Sequence, residues 1–332
     1  METTSFSEIK LARNCLRAHH YRYKERLRRK RPNRPALVGT ILHDMLDARV
    51  KFNKEAAWDV FKKYKKEFRK LFREEQEEFG DVPSIVKAIY KGYWRRWKDD
   101  GLIYTASEVE FRVGLTKDIE LLGYIDKITE DNLRRFLMDH KFHKNIPGPD
   151  HRFSDIQTVL YFWGWNESHK KADHVDGIIW DYGRMKAPTI PDLLKNGQLS
   201  QRANIDTDWT TYVQAIKENG LHLRDYSKMA NLLAGKERTF FERVPLPAPP
   251  KVMIQEVVED ARQSAIMAKK ALRTGKAPRS MSGFNCNGCE FRTLCEAEVR
   301  GLDAKFVRKK DYEIRDKEPK EKKYGEDFEQ AA

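Results

Sequence analysis

Acid is in short supply in this chain. It carries 51 Asp and Glu against 64 Lys and Arg, a formal net charge of +13. A deficit of that size disfavours a basic partner and favours a polyanion, of which nucleic acid is the commonest soluble kind. Long hydrophobic runs are missing as well. No stretch approaches the ~18–20 apolar residues that cross a bilayer, and the opening METTSFSEIK mixes charges where a signal peptide would be apolar. No membrane partner is expected, and a cytoplasmic location is. Cysteine is sparse: Cys15 stands alone, and Cys286, Cys289 and Cys295 cluster near the end. In a reducing compartment these thiols are expected to be free or metal-bound rather than paired in disulfides. No internal repeat is visible, which sets solenoid architectures aside.

What is present suffices for a large core, since 40% of the 332 residues are hydrophobic. Ser5-x-x-Glu8 is a capping box, and it predicts a helix through IKLARNCLRAHHYRY. A very basic stretch, KERLRRKRPNRP, follows and is ended by prolines. A second helix is predicted over ALVGTILHDMLDARVKF, with Val38, Ile41, Leu42, Met45 and Leu46 on one face. Charged helical patterns cover 54–79 and 83–98. Strand signals begin near residue 106. SEVEFRV alternates, IELLGYIDKIT follows, and a short EDN turn leads into LRRFLMDHKF, which reads as an antiparallel meander. Ile156, Val159, Leu160 and Trp163 then recur at helical spacing, and HVDGIIWDYGRMK returns as a strand. Strand, helix, strand in that order predicts a crossover onto the same sheet, and hence an α/β fold.

The run LRRFLMDHKF places charges inside a strand that is apolar on both faces. Alternation puts Asp139 and Lys141 on one face with Leu137, and Phe136, Met138 and Phe142 on the other. A buried charge is costly unless it is paired or binds a metal. Taken alone, Asp139 and Lys141 read as a simple ion pair at a strand end. Asp126, in GYID, changes that reading. Pairing across the EDN turn brings it near Asp139, and two close carboxylates repel unless a cation lies between them. Carboxylate oxygens are hard ligands, so the expected ion is Mg²⁺ or Mn²⁺.

This order, G-x-x-D followed by D-x-K, resembles the PD-(D/E)XK nuclease superfamily. Within it the chain looks like the RecB-like exonucleases, including their CRISPR-associated and phage-encoded branch. The resemblance implies a restriction-endonuclease-like core, a mixed central sheet flanked by helices. It implies that Asp126 and Asp139 bind the metal and that Lys141 positions or activates the attacking water. It adds His43, in Gly39-x-x-x-His43, as a metal ligand, the His140 carbonyl to the metal shell, and Gln157 and Tyr161 as catalytic-site residues that contact or orient the substrate. Glu110 is a weaker carry-over, as a supporting acid. On its own, a histidine such as His43 reads as solvated or structural, and Gln157 with Tyr161 as a surface amide beside a core tyrosine.

Three clustered thiols and one remote partner fit a four-cysteine site. The resemblance makes Cys15, Cys286, Cys289 and Cys295 the ligands of a [4Fe–4S] cluster that staples the first helix to the last segment. Zinc is the alternative, although structural zinc more often takes two C-x-x-C pairs. The expected organisation is a first helix with its cysteine and basic stretch over 1–35, and the nuclease core preceded by a helical region over 36–186. A mostly helical insertion over 187–250 follows, then the last core helix and the iron–sulfur segment over 251–305, and a charged, disordered tail over 306–332. The implied activity is metal-dependent hydrolysis of DNA at ends or in single strands. A DNA-binding or DNA-processing partner that keeps the fold without catalysis is the alternative. The basic stretch Arg22–Arg34 is a candidate phosphate track. The aromatic–basic run from Tyr90 to Trp97 could stack single-stranded bases, but the helical spacing of Ile89, Tyr93 and Trp97 favours core packing.

Overall fold

The computed structural model describes residues 1–30, 33–98, 100–131, 133–148, 155–236 and 239–315, apart from the side chain of Glu75. Strand β1 (Glu2–Ser5) leads into α1 (Phe6–Asn14), a short α2 (Leu16–His19), a π-helical turn (His20–Lys24) and β2 (Leu27–Arg29). A helical layer follows: α3 (Arg34–Lys51), α4 (Lys54–Phe68), α5 (Arg73–Phe79) and α6 (Val82–Arg96). Next come β3 (Ile103–Gly114), β4 (Ile119–Glu130), β5 (Arg135–His143), α7 (Ile156–Ser168) and β6 (Gly177–Arg184). Helices α8 (Trp209–Glu218) and α9 (Ser227–Leu233) precede β7 (Phe241–Pro247) and the long α10 (Lys251–Thr274). The chain closes with α11 (Gly283–Cys286), α12 (Arg292–Val299), α13 (Ala304–Asp311) and β8 (Tyr312–Ile314).

The predicted meander forms. β3 and β4 are antiparallel, β4 and β5 pair antiparallel across the EDN turn, and α7 carries the chain to β6, which lies parallel to β5. The result is a mixed sheet between two helical layers, the architecture expected of a restriction-endonuclease-like core. On one face, Phe6 and Ile9 of α1, Leu160 of α7 and Val258 and Ala261 of α10 pack against Leu121, Ile125, Leu137 and Trp180. On the other, α3, α4 and α6 build a second core that reaches the sheet at Phe142 and Phe241. Tyr90 and Tyr93 are buried in that core, as their helical spacing requires. Among the described residues no helix is long and apolar enough to cross a membrane.

The sheet has a break along one edge of β4. β3 pairs along β4 from Glu120 to Glu130 and fills one edge of that strand. β1 and β5 therefore share the other edge, β1 against Ile119–Leu122 and β5 against Lys127–Glu130. Residues 123–126 of β4 are left without a strand partner on that edge. Helix α1 starts at Phe6, immediately beyond the last β1 pair. Gly123 opens this gap, and the reason is steric: a Cβ there would meet the ring of Phe111 at 2.2 Å.

Four expectations are corrected. The first helix is interrupted at Cys15, whose backbone is extended (φ −164°, ψ 112°), although Ser5 caps it as predicted by accepting from the Glu8 amide. Strand β1 was not anticipated. The stretch 187–250 is largely irregular around α8 and α9, and its end, β7, is an edge strand against β6. Pro245 and Pro247 are tolerated there because an edge strand has amides with no ladder to join. Residues 306–315 are ordered: α13 and β8 fold back so that β8 pairs with β2. Charge dominates that segment's composition, but Phe291 and Tyr312 stack with ring centroids 5.8 Å apart and anchor it. The rest of the expected tail, 316–332, lies outside the described residues.

Candidate active site

The gap in the sheet is where the acidic side chains gather. The β4–β5 ladder stops at Lys127 opposite Met138. One step further Asp126 would face Asp139, but the strands part. The Asp126 carboxylate instead accepts the His140 backbone N–H, with Oδ2 2.7 Å from the nitrogen. From α3, His43 brings Nδ1 to 3.5 Å from the same oxygen. Asp139 is held from two sides. Lys141 Nζ lies 2.6 Å from Oδ2, and Gln157 Nε2 of α7 donates to Oδ1 at 3.0 Å. Tyr161, one turn further along α7, packs edge-on against Phe6 and Phe111.

All six groups, His43, Asp126, Asp139, Lys141, Gln157 and Tyr161, line one open cleft of about 1280 Å³. Burial pushes the carboxyls of Asp126 and Asp139 up to about 6 each. Lys141 pulls the other way on both, Glu108 adds to the rise at Asp126, and the charge of Asp126 adds to it at Asp139. Burial also works to discharge Lys141, but the two carboxylates outweigh it and hold the ammonium above its ordinary range. The Tyr161 hydroxyl is raised by burial first and by Asp139 and Asp126 next, so it stays neutral. Carboxylates with raised affinity for a proton, beside an imidazole nitrogen, are donors of the kind a divalent cation takes, and the three would have to draw closer to share one.

His140 sits differently from its neighbours. Strand alternation turns its ring to the opposite face, where it is buried with Nδ1 2.9 Å from Asp181 Oδ2. Burial lowers the imidazole to about 3, so the ring is neutral. Tyr93 and Arg243 hold Asp181 in turn, and Arg243 also binds Asp100, Tyr104 and Tyr93. Whatever His140 offers the cleft comes from its main chain. Glu110 is on the surface with Arg112 and Tyr124. The acid that acts on Asp126 is Glu108, which sequence reasoning missed. Its left-handed backbone (φ 51°) falls between Ser107, paired with Lys127, and Val109, paired with Ile125, and so opposite Asp126; a strained non-glycine residue of this kind recurs at functional sites. Gly39 faces open space, since a Cβ there would touch nothing within 4 Å.

The four cysteines meet at a second cavity. Cys15, Cys286, Cys289 and Cys295 line it together with Arg17, Arg279 and Arg292. All four are half-buried free thiols, and Cys15, Cys289 and Cys295 pack against Ala18, Tyr21, Phe291 and Leu294. Burial raises the Cys289 thiol, and Cys15 and Cys286 add to the rise. Arg279, whose guanidinium also pairs with Glu298, and Arg292 lie on the cavity wall beside the thiols. Four thiols beside guanidinium groups fit an anionic thiolate cluster. Among the described residues no three His, Cys, Asp or Glu side chains stand close enough to grip a single metal ion without rearranging. The basic stretch is mostly occupied near this region: Arg28 pairs with Glu313, Arg29 donates to the Glu290 carbonyl and Lys30 to the Lys309 carbonyl. Residues 31 and 32 lie outside the described residues. Only Arg22 of that stretch lines the cleft.

The family model described as the PD-(D/E)XK nuclease superfamily matches residues 3–296. None of the curated proteins matches the chain.

Proposed function

The chain belongs to the PD-(D/E)XK nuclease superfamily, and from that premise we propose that it is a Mg²⁺- or Mn²⁺-dependent deoxyribonuclease, an exonuclease acting on DNA ends or single strands. We place it in the RecB-like, phage-type branch that carries a [4Fe–4S] cluster, working in the reducing cytoplasm. One observation carries the reading: His43, Asp126, Asp139, Lys141 and Gln157, drawn from two helices and two strands, converge in a single cleft.

Asp126, Asp139 and His43 would hold the ion, with the His140 carbonyl as a further donor. When bound, the divalent ion supplies Lewis acidity and positive charge at the scissile phosphate. The His140 amide fixes Asp126, and Gln157 fixes Asp139, so neither carboxylate has to be ordered at the moment of reaction. With the ion bound, Asp139 no longer needs the Lys141 ammonium as its only counter-charge. Lys141 is then free to orient a water and offset the charge that grows on the phosphate. A water attacks the phosphorus and the bridging oxygen leaves, so no covalent enzyme intermediate is required. Cys15, Cys286, Cys289 and Cys295 would hold the cluster in a structural role, joining the ends of the chain.

The test is incubation of the protein with end-labelled single- and double-stranded DNA, with and without Mn²⁺. Stepwise shortening that requires the ion, and that Asp139→Ala abolishes, is expected. DNA binding without cleavage under every divalent ion tried would leave a fold-retaining binding protein instead.

A further inference from the structure

Helix α1 forms a wall of the cleft, and that placement follows from the gap in the sheet. Its apolar side, Phe6, Ile9 and Ala12, is buried in the core. Ser7, Lys10, Leu11 and Asn14, spaced three and four apart, line the cleft that holds Asp126 and Asp139. Two cations on this side are already engaged: Arg13 lies 3.7 Å from Asp260, and Arg22 pairs with Glu290, next to Cys289. Lys10 is different. Its ammonium lies 5.5 Å from the Phe6 ring centroid, and among the described residues it has no acidic partner. Its charge reaches across to His143, at the far end of the strand that carries Asp139 and Lys141, where burial first, then Lys141, then Lys10 lower the imidazole. Ser7 and Asn14, one turn to either side, are exposed hydrogen-bonding groups.

Resting on the nuclease reading, we propose that the exposed face of α1 (Ser7, Lys10 and Asn14) is a backbone-phosphate site that guides a nucleic-acid strand to the carboxylates. An unpaired ammonium flanked by neutral hydrogen-bonding side chains suits a phosphodiester. It holds the backbone without reading the bases. The helix ends at Cys15, so the cysteine cavity sets where this wall stands. The wall and the acidic floor thus come from different segments of the chain, and strand binding is separable from cleavage.

The experiment measures binding of a fluorescein-labelled single-stranded oligonucleotide by anisotropy, with Ca²⁺ in place of Mg²⁺ and a series of salt concentrations. Full-length wild type is compared with Lys10→Glu, with Lys10→Ala/Asn14→Ala, and with Lys228→Glu, an equal charge change on exposed α9. Both α1 variants are expected to bind several-fold more weakly on every sequence. The slope of log Kd against log salt should fall by about one for the lost phosphate contact. Lys228→Glu should match wild type. Unchanged affinity and slope in both α1 variants, in a protein that still cuts DNA, overturns the wall and leaves the nuclease intact. Equal weakening by Lys228→Glu overturns it too, because the effect would then be one of net charge. Wild type that neither binds nor cuts DNA overturns both readings.

Discussion

His43 Nδ1 stands 3.5 Å from Asp126 Oδ2, although one residue is on helix α3 and the other on strand β4. A helix and a strand brought to that distance make a pocket, and the side chains that frame it are held by others. Gln157 is such a support, since it donates to Asp139 and packs within α7. Removing a supporting hydrogen bond of this kind costs about 10–100-fold in metal affinity or activity. Gln157→Ala is therefore expected to lower the cleavage rate by that factor while oligonucleotide affinity in Ca²⁺ stays at the wild-type value. Isothermal titration with Mn²⁺ and single-turnover cleavage check the two halves separately.

The raised carboxyls predict a pH dependence. Asp126 and Asp139 take up protons near pH 6 in the ion-free fold, against about 4 in an unfolded chain. Between these values the folded state binds more protons, so ion-free stability falls as pH rises from about 4 to about 6. Above that window the buried charges remain as a cost, which a divalent ion offsets. Thermal melts should show Mn²⁺ raising Tm at pH 7.5 and leaving it nearly unchanged at pH 5. A shift of equal size at both pH values would mean that the ion binds elsewhere.

Much of this site was legible because its residues belong to local patterns. Asp126, Asp139 and Lys141 sit on strands with clear alternation joined by a short turn, so one pairing decision places all three. Gln157 and Tyr161 share a helix whose apolar stripe fixes its facing. What was hidden depends on contacts between distant segments. β1 is a short parallel strand with no alternation of its own, and only β4 gives it a place. Glu108 matters through a left-handed backbone that no composition rule marks. Tyr312 is one aromatic anchor in a highly charged run, so the fold-back of β8 was outvoted by its neighbours. The break at Cys15 overrides a good helical pattern.

The layer behind the site makes its own prediction. Burial alone would raise the Asp181 carboxyl, but Arg243, then His140 and Tyr93, outweigh it and hold it far below the usual range. Its stabilising contribution is fully present above about pH 4 and is lost only as pH falls through the lowered folded value. Asp181→Ala removes this and leaves Arg243 with Asp100 as its remaining acid. Breaking a buried pair of this type costs about 3–5 kcal/mol. A urea melt at pH 7 should show that loss, and it should shrink towards pH 2.

Lys127 predicts the opposite sign. Its amine is fully buried beneath Tyr104, 4.9 Å from the ring centroid, and has no hydrogen-bond partner among the described residues. Burial lowers it to about 8 from an unfolded value near 10.5. At about 1.36 kcal/mol per unit this is a cost on the order of 3 kcal/mol at neutral pH, relieved as pH rises from about 8 to about 10.5. Lys127→Met keeps the length and removes the charge. Its Tm at pH 7 is expected to exceed that of wild type, with the difference narrowing by pH 10.

The cysteines give the last prediction, and it concerns how the chain ends are held. Cys15 and the three late cysteines share one cavity, and Glu298 beside it receives Tyr21, Arg17 and Arg279 from both ends of the chain. β2 and β8 then pair across the same junction. Ligand and polar network therefore brace one joint, and removing a single thiol should act on the whole of it. Cys289→Ser is expected to take iron from about four atoms per chain to near zero and to bleach visible absorbance. Amide exchange should quicken at 27–29 and 312–314 together, because each is the other's hydrogen-bond partner, while β5 and β6 stay protected. Stoichiometric zinc and no iron in the wild-type protein would replace the cluster with a mononuclear site. A colourless, metal-free wild type with the junction still protected would show that the polar network alone is sufficient to close it.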